Sequence, residues 1–433
     1  VMVLLSTKIM CNPELEEVLS KDDEWITKVD LNAFKKDLKE LGTMLESQQG
    51  QEDVDHLNKM ILWSNLCFLF GVSTMGFTTS LTSLLSLASA LALSTFTTTR
   101  WTMIAHHVCH GGYDKCHPEK GRWNRFKFAI GSFSRRFMDW FDWMLPEAWN
   151  VEHNNRHHYC LSEIHDPDLV EQNTITLRSN ESYLVKYFLV VVNMMTWKWQ
   201  YYAPNTYKEF KLAQYRREGK PIPEGSEHPV VVKDLILNGC PLFSMWEFLR
   251  VVIGPYLLFH FFILPLPFYM LGQYVFGVGS TMYFNAVRTL LLGDVFSNIH
   301  SFIVVVTNHA GDDLYRFSSG CKPYSGSFFL RQVIASVNFR TGSDLNDFCH
   351  GFLNYQIEHH LWPNLSMRSY QKAAPLVKEI CKKHHVPYIQ ENVSIRVWKT
   401  IQIMVGSANM RQFPAKYEAK FLEIDMKADT IKN

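Results

Sequence analysis

The chain has 433 residues, and its 43 lysines and arginines nearly balance its 42 aspartates and glutamates, which leaves a net charge of +1. This balance gives no basis for nucleic acid as a partner, because nucleic-acid binding needs a basic surface. The nine cysteines form no CxxC pair and have no regular spacing. That distribution argues against a disulfide scaffold or a zinc ribbon and fits a reducing compartment.

The N-terminal part of the chain is charged and helix-like after a short apolar start. No small-residue cleavage site follows the apolar stretch 1–10, so the sequence does not predict a signal peptide. We expect residues 1–58 to form a soluble segment that packs as a cap on the rest of the protein.

Two long uncharged stretches follow, one from Ile61 to Thr99 and the other from Val251 to Val287. A membrane helix needs about 20 apolar residues. The first stretch is therefore long enough for two crossings with a turn near Gly76–Ser80, and the second holds one helix and most of another. The sequence predicts an all-α integral membrane protein with about four transmembrane helices in two hairpins.

The second helix of each predicted hairpin is longer than a bilayer is thick. Leu81 to His110 covers 30 residues and Thr281 to His309 covers 29, so each helix would reach roughly 45 Å against a hydrocarbon core of about 30 Å. Each helix would project from the membrane and end in histidine. Basic residues predominate in the polar stretches on that side, which predicts that this face is cytosolic.

The remaining predicted boundaries complete the arrangement. The segment 183–202 is apolar but contains two lysines, so we expect it to lie at the membrane surface rather than to span the bilayer. The membrane domain is predicted to cover residues 59–410, with a cytosolic helical cap that carries the histidines, and residues 411–433 are predicted to form a C-terminal tail.

Eight of the 18 histidines fall into four groups along the chain. The groups are His106 with His110, His153 with His157 and His158, the single His309, and His359 with His360. On a helix, His106 and His110 leave the same face, while adjacent histidines diverge by about 100° and can serve two different metal ions.

This number of imidazoles indicates a site with two metal ions. Three or four ligands satisfy one zinc ion, and eight are too many for a single ion. Imidazole suits iron, copper and zinc, but zinc has no redox chemistry, whereas two irons can activate O2. Two irons are thus favoured. The alternative from another class is a histidine-rich membrane zinc protein or receptor without redox chemistry.

Several further residues are candidates with a weaker signal. His107, His300, Asn308 and Gln356 are doubtful ligands. Four acidic residues close to the groups are candidates for orienting the ligand rings through hydrogen bonds; they are Asp166, Asp168, Asp312 and Asp347.

With these histidine groups, the chain resembles the membrane fatty-acid desaturases of the front-end type over about residues 60–410. The most specific part is the run Asn-Tyr-Gln356-Ile-Glu-His359-His360-Leu-Trp-Pro. In that family glutamine replaces the first histidine of the last group, and a histidine like His309 is a ligand. The resemblance implies that the eight grouped histidines hold two iron ions and that no further catalytic residue is needed.

The resemblance also implies the reaction, which is O2-dependent removal of two hydrogens from adjacent carbons of a lipid acyl chain. The acyl carrier would be a lipid or coenzyme A, and the endoplasmic reticulum is expected over a plastid or a bacterial inner membrane. The sequence lacks the HPGG motif of a fused cytochrome b5 domain. We therefore expect an external electron donor such as cytochrome b5 or ferredoxin.

Two features depart from the family pattern. His107 stands where aspartate is common, which leaves the ligands of the first group open. The spacing of His153 and His157, with Glu152 before them, is also similar to that of alkane hydroxylases. The alternative enzyme is a fatty-acyl, alkane or sphingolipid hydroxylase or desaturase on the same di-iron centre.

Overall fold

The computed structural model describes residues 19–116, 121–130, 132–140, 145–226 and 228–430, and within these ranges the protein is mostly helical. The first 18 residues of the predicted N-terminal segment and the last three of the predicted tail lie outside the described residues. The main helices are α1 (Leu31–Ser47), α2 (Gln51–Phe77), α3 (84–109), α4 (146–154), α5 (183–217), α6 (Met245–Phe276), α7 (Gly279–Asn308), α8 (Gly326–Ile334), α9 (Asp344–Cys349), α10 (Gln356–Leu361), α11 (Met367–Lys383), α12 (Val393–Val405) and α13 (Ala415–Thr430).

Shorter elements connect these helices. The short helical turns are Lys21–Lys28, 133–140, His157–Tyr159, Val170–Asn173, Ile175–Arg178, Val232–Leu237 and Leu353–Tyr355. Two short strands, β1 (Tyr315–Arg316) and β2 (Arg411–Gln412), pair in parallel, with Tyr315 opposite Arg411.

Three of the described helices, α2, α6 and α7, are long and apolar enough to cross a membrane. The protein is thus an integral membrane protein, as the sequence predicts, and four crossings in two hairpins stay a prediction. Helix α2 begins at Gln51, ten residues before the uncharged stretch, because the Asp53 carboxylate accepts a 2.9 Å hydrogen bond from the backbone amide of Gly50 at its first turn. The turn that the sequence predicts near Gly76–Ser80 extends further in the structure, because the next helix starts only at Leu84, after the Ser83 cap.

Helix α3 packs against both α2 and α7 through small residues. A Cβ atom added to Gly71 of α2 would lie 2.6 Å from Leu93 of α3, and one added to Gly293 of α7 would lie 3.3 Å from the Ala90 carbonyl oxygen. Close approach of backbones through small residues is typical of helix packing in membranes. The contact fixes α3 and α7 side by side, and both helices lead to histidines.

Helix α5 carries the segment 183–202 that the sequence places at the membrane surface. It exposes Leu184 and Phe188 but buries Lys198, whose Nζ lies 3.2 Å from Oδ1 of Asp294 on α7. The structure therefore adds a buried ion pair between α5 and α7, which hydropathy alone does not predict.

Neither end of the predicted membrane domain is a break in the structure. Helix α2 continues through residue 58, and the predicted tail begins with β2, which pairs with β1. Helix α13 is not a free tail, because Asp425 accepts hydrogen bonds from the backbone amides of Gly326 and Ser327 at the start of α8. Helix α1 packs on α8 and α11. Both ends of the described chain therefore pack against the helices that follow α7.

Candidate metal centre

The eight grouped histidines come from five separate parts of the fold and are all buried. Helix α3 contains His106 in its last turn and is followed directly by His110, and α4 supplies His153. The short turn His157–Tyr159 supplies two more rings, His309 follows α7, and α10 supplies His359 and His360. Segments far apart in sequence thus converge on one buried site.

Five of these histidines form a first nitrogen cluster, defined as His106, His110, His153, His158 and His359. The Nε2 atom of His106 lies 2.8 Å from Nε2 of His359 and 3.2 Å from that of His153. His158 closes the ring, with its Nε2 at 3.3 Å from His153 and 3.1 Å from His359.

These distances match a shared cation. Nitrogens bound at 2.0–2.1 Å in a tetrahedral arrangement would lie about 3.3 Å apart. Neutral imidazole nitrogens that face one another as lone pairs need a positive charge between them. Nε2 of His110 has no hydrogen-bond partner within the described part of the chain. The donor set therefore fits a metal ion.

A second nitrogen cluster consists of His157, His309 and His360. Nε2 of His309 lies 3.2 Å from Nε2 of His360, and the amide nitrogen of Gln356 lies 2.8 Å from His309 and 3.2 Å from His360. Asn308 donates to the amide oxygen of Gln356 at 3.3 Å. In this orientation Gln356 presents its amide nitrogen to the cluster, so the amide would have to turn to bind a metal through oxygen.

The rings of the second cluster are held by hydrogen bonds on their Nδ1 side. His157 donates to Asp166 at 2.9 Å, with Asp168 at 3.6 Å, and His360 donates to the amide oxygen of Gln332 at 3.1 Å. Such bonds fix the tautomer and leave Nε2 free for a metal. Gln332 was not predicted, because it lies on α8 outside any histidine motif.

Burial keeps most of these histidines neutral. The pKa values of His153, His158 and His360 lie well below the ordinary value because of burial first and the neighbouring histidines second. His157 differs: burial lowers its pKa, but the charge and hydrogen bond of Asp166 outweigh this effect and raise it overall. Neutral imidazole is the form that binds metals.

Two of the doubtful histidines lie outside both clusters. Nδ1 of His107 lies 2.5 Å from the Met103 carbonyl oxygen, within its own helix. Nε2 of His300 lies 2.7 Å from the Cys349 carbonyl oxygen. The structure gives both histidines a backbone partner instead of a place in either nitrogen cluster.

The four acidic candidates divide into two pairs. Asp166 and Asp168 contact His157, as described above. Asp312 is exposed, and Asp347 accepts hydrogen bonds from Asn354 and Tyr355 in the connection before α10. Asp347 therefore supports the backbone that leads to α10 and does not contact a grouped histidine through these bonds.

We predict that Asp166→Asn lowers metal affinity at the second cluster by about 10- to 100-fold, the usual effect of losing a partner that orients a ligand. The carboxylate also accepts from the backbone amides of Ser162 and Asp168, so the loop that carries it would loosen. Iron titration of the purified protein, followed by optical absorption, would measure this. Asp312→Asn is the control, and equal iron affinity in the two variants would contradict the prediction.

Helices long and apolar enough to span a membrane, together with a buried two-part histidine site, define a membrane protein with a candidate metal centre. Comparison with known proteins identifies its family. Residues 82–392, most of the chain, match the model of the family described as "Fatty acid desaturase". The chain belongs to the fatty acid desaturase family, which confirms the resemblance seen in the sequence.

Curated relatives agree with this assignment. The chain is 47% identical over 79 residues to fatty acid desaturase 2-like protein FADS2B of Mus musculus, a match that covers 18% of this chain and 16% of the relative. It is 30% identical over 108 residues to Delta(5) fatty acid desaturase A of Dictyostelium discoideum (24% and 23%). It is also 32% identical over 130 residues to the acyl-lipid (9-3)-desaturase of Physcomitrium patens (29% and 23%). The matched segments thus cover less than a quarter of each relative's own length.

Proposed function

We propose that the protein is a front-end desaturase that introduces a double bond into a lipid acyl chain in an O2-dependent reaction. The observation that carries this proposal is the convergence of eight buried histidines into two nitrogen clusters in a chain of the desaturase family. We assign one iron ion to each cluster, with the eight histidines as ligands. Bound iron supplies O2 activation and the electron transfer that removal of hydrogen from a methylene requires.

The protein groups around the clusters position the rings and exclude water. Trp149 stacks on His153 with ring centroids 4.6 Å apart and contacts His106 at 5.4 Å, and Trp140 packs behind it at 5.8 Å. Both tryptophans are buried. We propose that these rings form part of the apolar wall along which the acyl chain lies, because a dry site protects reactive species from side reactions.

The arrangement in the membrane is part of the same proposal. Helix α3 would act as the fourth spanning helix and complete two hairpins, with the histidines in a helical cap on the cytosolic face. The endoplasmic reticulum is the proposed location. Electrons would come from a separate donor such as cytochrome b5 or ferredoxin.

Expression in yeast, with lipid profiling by gas chromatography and mass spectrometry, tests the function. Cultures supplied with mono- and di-unsaturated fatty acids are expected to contain a new acid with one more double bond. A hydroxylated acyl chain without a new double bond would replace the proposal with a hydroxylase on the same centre. Metal analysis of the purified protein is expected to give two irons and no zinc per chain. Zinc without iron would favour the non-redox alternative.

A further inference from the structure

A cavity of about 580 Å³ lies between the loop before α9, helix α11 and the segment before α12. Its volume is in the range of small-ligand sites. Its wall combines apolar surface with polar side chains, which include Thr341, Ser343, Asp344, Lys378, Tyr388 and Gln390. The proposed desaturation reaction does not use this cavity.

One side of the cavity lies next to α2, close to the start of its uncharged stretch. Asp344 contacts Lys59 at 2.6 Å and His56 at 3.3 Å. Lys59 stands two residues before the uncharged stretch that starts at Ile61. Trp63, one turn further along α2, packs edge-on against Phe348 of α9 at 5.5 Å. The Asp344 side of the cavity therefore borders the polar end of a membrane helix.

Exposed apolar residues lie close in sequence to the cavity lining. Leu345 follows Asp344 and is 64% exposed. Helix α12 begins shortly after Gln390, and its Ile395 and Trp398 are 47% and 56% exposed. Tryptophan is enriched where proteins meet the bilayer surface. Exposed apolar side chains of this kind can contact lipid chains.

The wall of the cavity contains one cation, Lys378, and one acid, Asp344. Lys378 is an exposed cation in its wall, and Arg340 and Lys382 are exposed close to it in sequence. None of the three has an ion pair within the described residues. Asp344, the acid in the wall, already binds Lys59 and Gln371. Ser343 accepts from the Asn346 amide and keeps its own hydroxyl hydrogen for a ligand.

We propose that this cavity binds the phosphate-bearing headgroup of a membrane phospholipid. Lys378 would pair with the phosphate, Ser343 would donate to a headgroup oxygen, and the acyl chains would lie along Leu345. This lipid is distinct from the substrate, because the fully buried Asn338 and Glu358 separate the cavity residue Tyr388 from His359 of the first cluster. The inference goes beyond the proposed function and holds whether or not that function is correct.

The cavity is nevertheless connected to the metal centre through a short chain of contacts. Tyr388 lines the cavity and donates a 2.9 Å hydrogen bond to Glu358, which precedes His359 in α10. A second donor, Asn338, holds the other carboxylate oxygen of Glu358 at 2.7 Å. A headgroup that contacts Tyr388 would thus lie one side chain away from the helix that carries two histidines.

Native mass spectrometry of the intact protein in detergent tests the proposal. The probes are dioleoylphosphatidylglycerol, a galactolipid with no phosphate, and glycerol 3-phosphate with no acyl chains. We expect phosphatidylglycerol to bind with an affinity at least about tenfold higher than either of the others, since only it offers both a phosphate and lipid chains.

Three variants locate the site. Lys378→Gln should lower phosphatidylglycerol affinity about tenfold by removing a charge-assisted bond, and Thr341→Trp should lower it by filling the cavity. Lys416→Gln, an exposed lysine on α13, should bind like the unaltered protein. Unchanged binding in both cavity variants would overturn the proposal, as would equal binding of the galactolipid or of glycerol 3-phosphate. It would also be overturned if Lys378→Gln weakened only the binding of a soluble acidic protein such as cytochrome b5.

Discussion

Replacing His359 with alanine is expected to abolish metal retention at the first cluster. Formation of the unsaturated product should fall by at least about 100-fold, more than the usual effect of losing a group that only orients a ligand, which is about 10- to 100-fold. The Nε2 atom of His359 lies 2.8 Å from His106 and 3.1 Å from His158. Its loss opens the first cluster on one side. Iron content by mass spectrometry of the purified variant and fatty-acid profiling of the yeast strain measure the two effects.

A matched control is available because the chain has histidines outside the clusters. His385 is exposed, and its backbone has a φ of 60°, a conformation that asparagine tolerates. His385→Asn should keep both iron and activity. A new unsaturated acid that persists in the His359→Ala strain at the level of the control would refute the assignment of the first cluster as the catalytic centre.

Replacing Arg331 with alanine should lower the free energy of unfolding by about 3–5 kcal/mol, the usual cost of removing one partner from a buried ion pair. The Arg331 guanidinium lies 2.9 Å from Glu163 and 3.2 Å from Glu418, and all three side chains are at most 7% exposed. Without the cation, two buried carboxylates lose their counter-charge. Glu163 belongs to the loop that carries Asp166, so the variant should also weaken metal binding at the second cluster.

Thermal unfolding of the detergent-solubilised protein, followed by tryptophan fluorescence, measures this effect. Lys36→Ala is the comparison, because Lys36 and Glu40 form an exposed pair on α1 at 3.9 Å. Exposed pairs contribute only about 0–1 kcal/mol. Similar melting temperatures for the two variants would contradict a stabilising role for the buried Arg331 network.

The histidine groups could be predicted from the sequence because their spacing is local. His106 and His110 are four residues apart on a helix, and adjacent rings such as His359 and His360 must diverge, so each motif shows its geometry within a few residues. His309 stands alone, and it became a candidate through its place at the end of an over-long helix and through the family resemblance.

The groups that orient the rings could not be found in the same way. Gln332 lies 28 residues before His360 on a different helix, and its single amide belongs to no repeated pattern. The buried pair of Lys198 and Asp294 likewise depends on how α5 packs on α7. Contacts between distant segments follow from tertiary packing, which local periodicity does not encode.

The ends of the chain show the same limit. Residues 411–433 are polar enough to predict a tail, yet Glu418 and Asp425 are buried because each satisfies groups on or near α8. A buried acid has the same appearance in sequence as a solvated one. Only its partners, almost 100 residues earlier in the chain, distinguish the two.

Two pairs of neighbouring histidines are each divided between the two clusters. His157 and His360 belong to the second cluster, whereas their chain neighbours His158 and His359 belong to the first. At each of these two places, a single peptide unit links a histidine of one cluster to a histidine of the other. Occupation of either site would fix the backbone geometry of the other, so loading with metal should be cooperative and a half-filled protein should be a minor species during assembly.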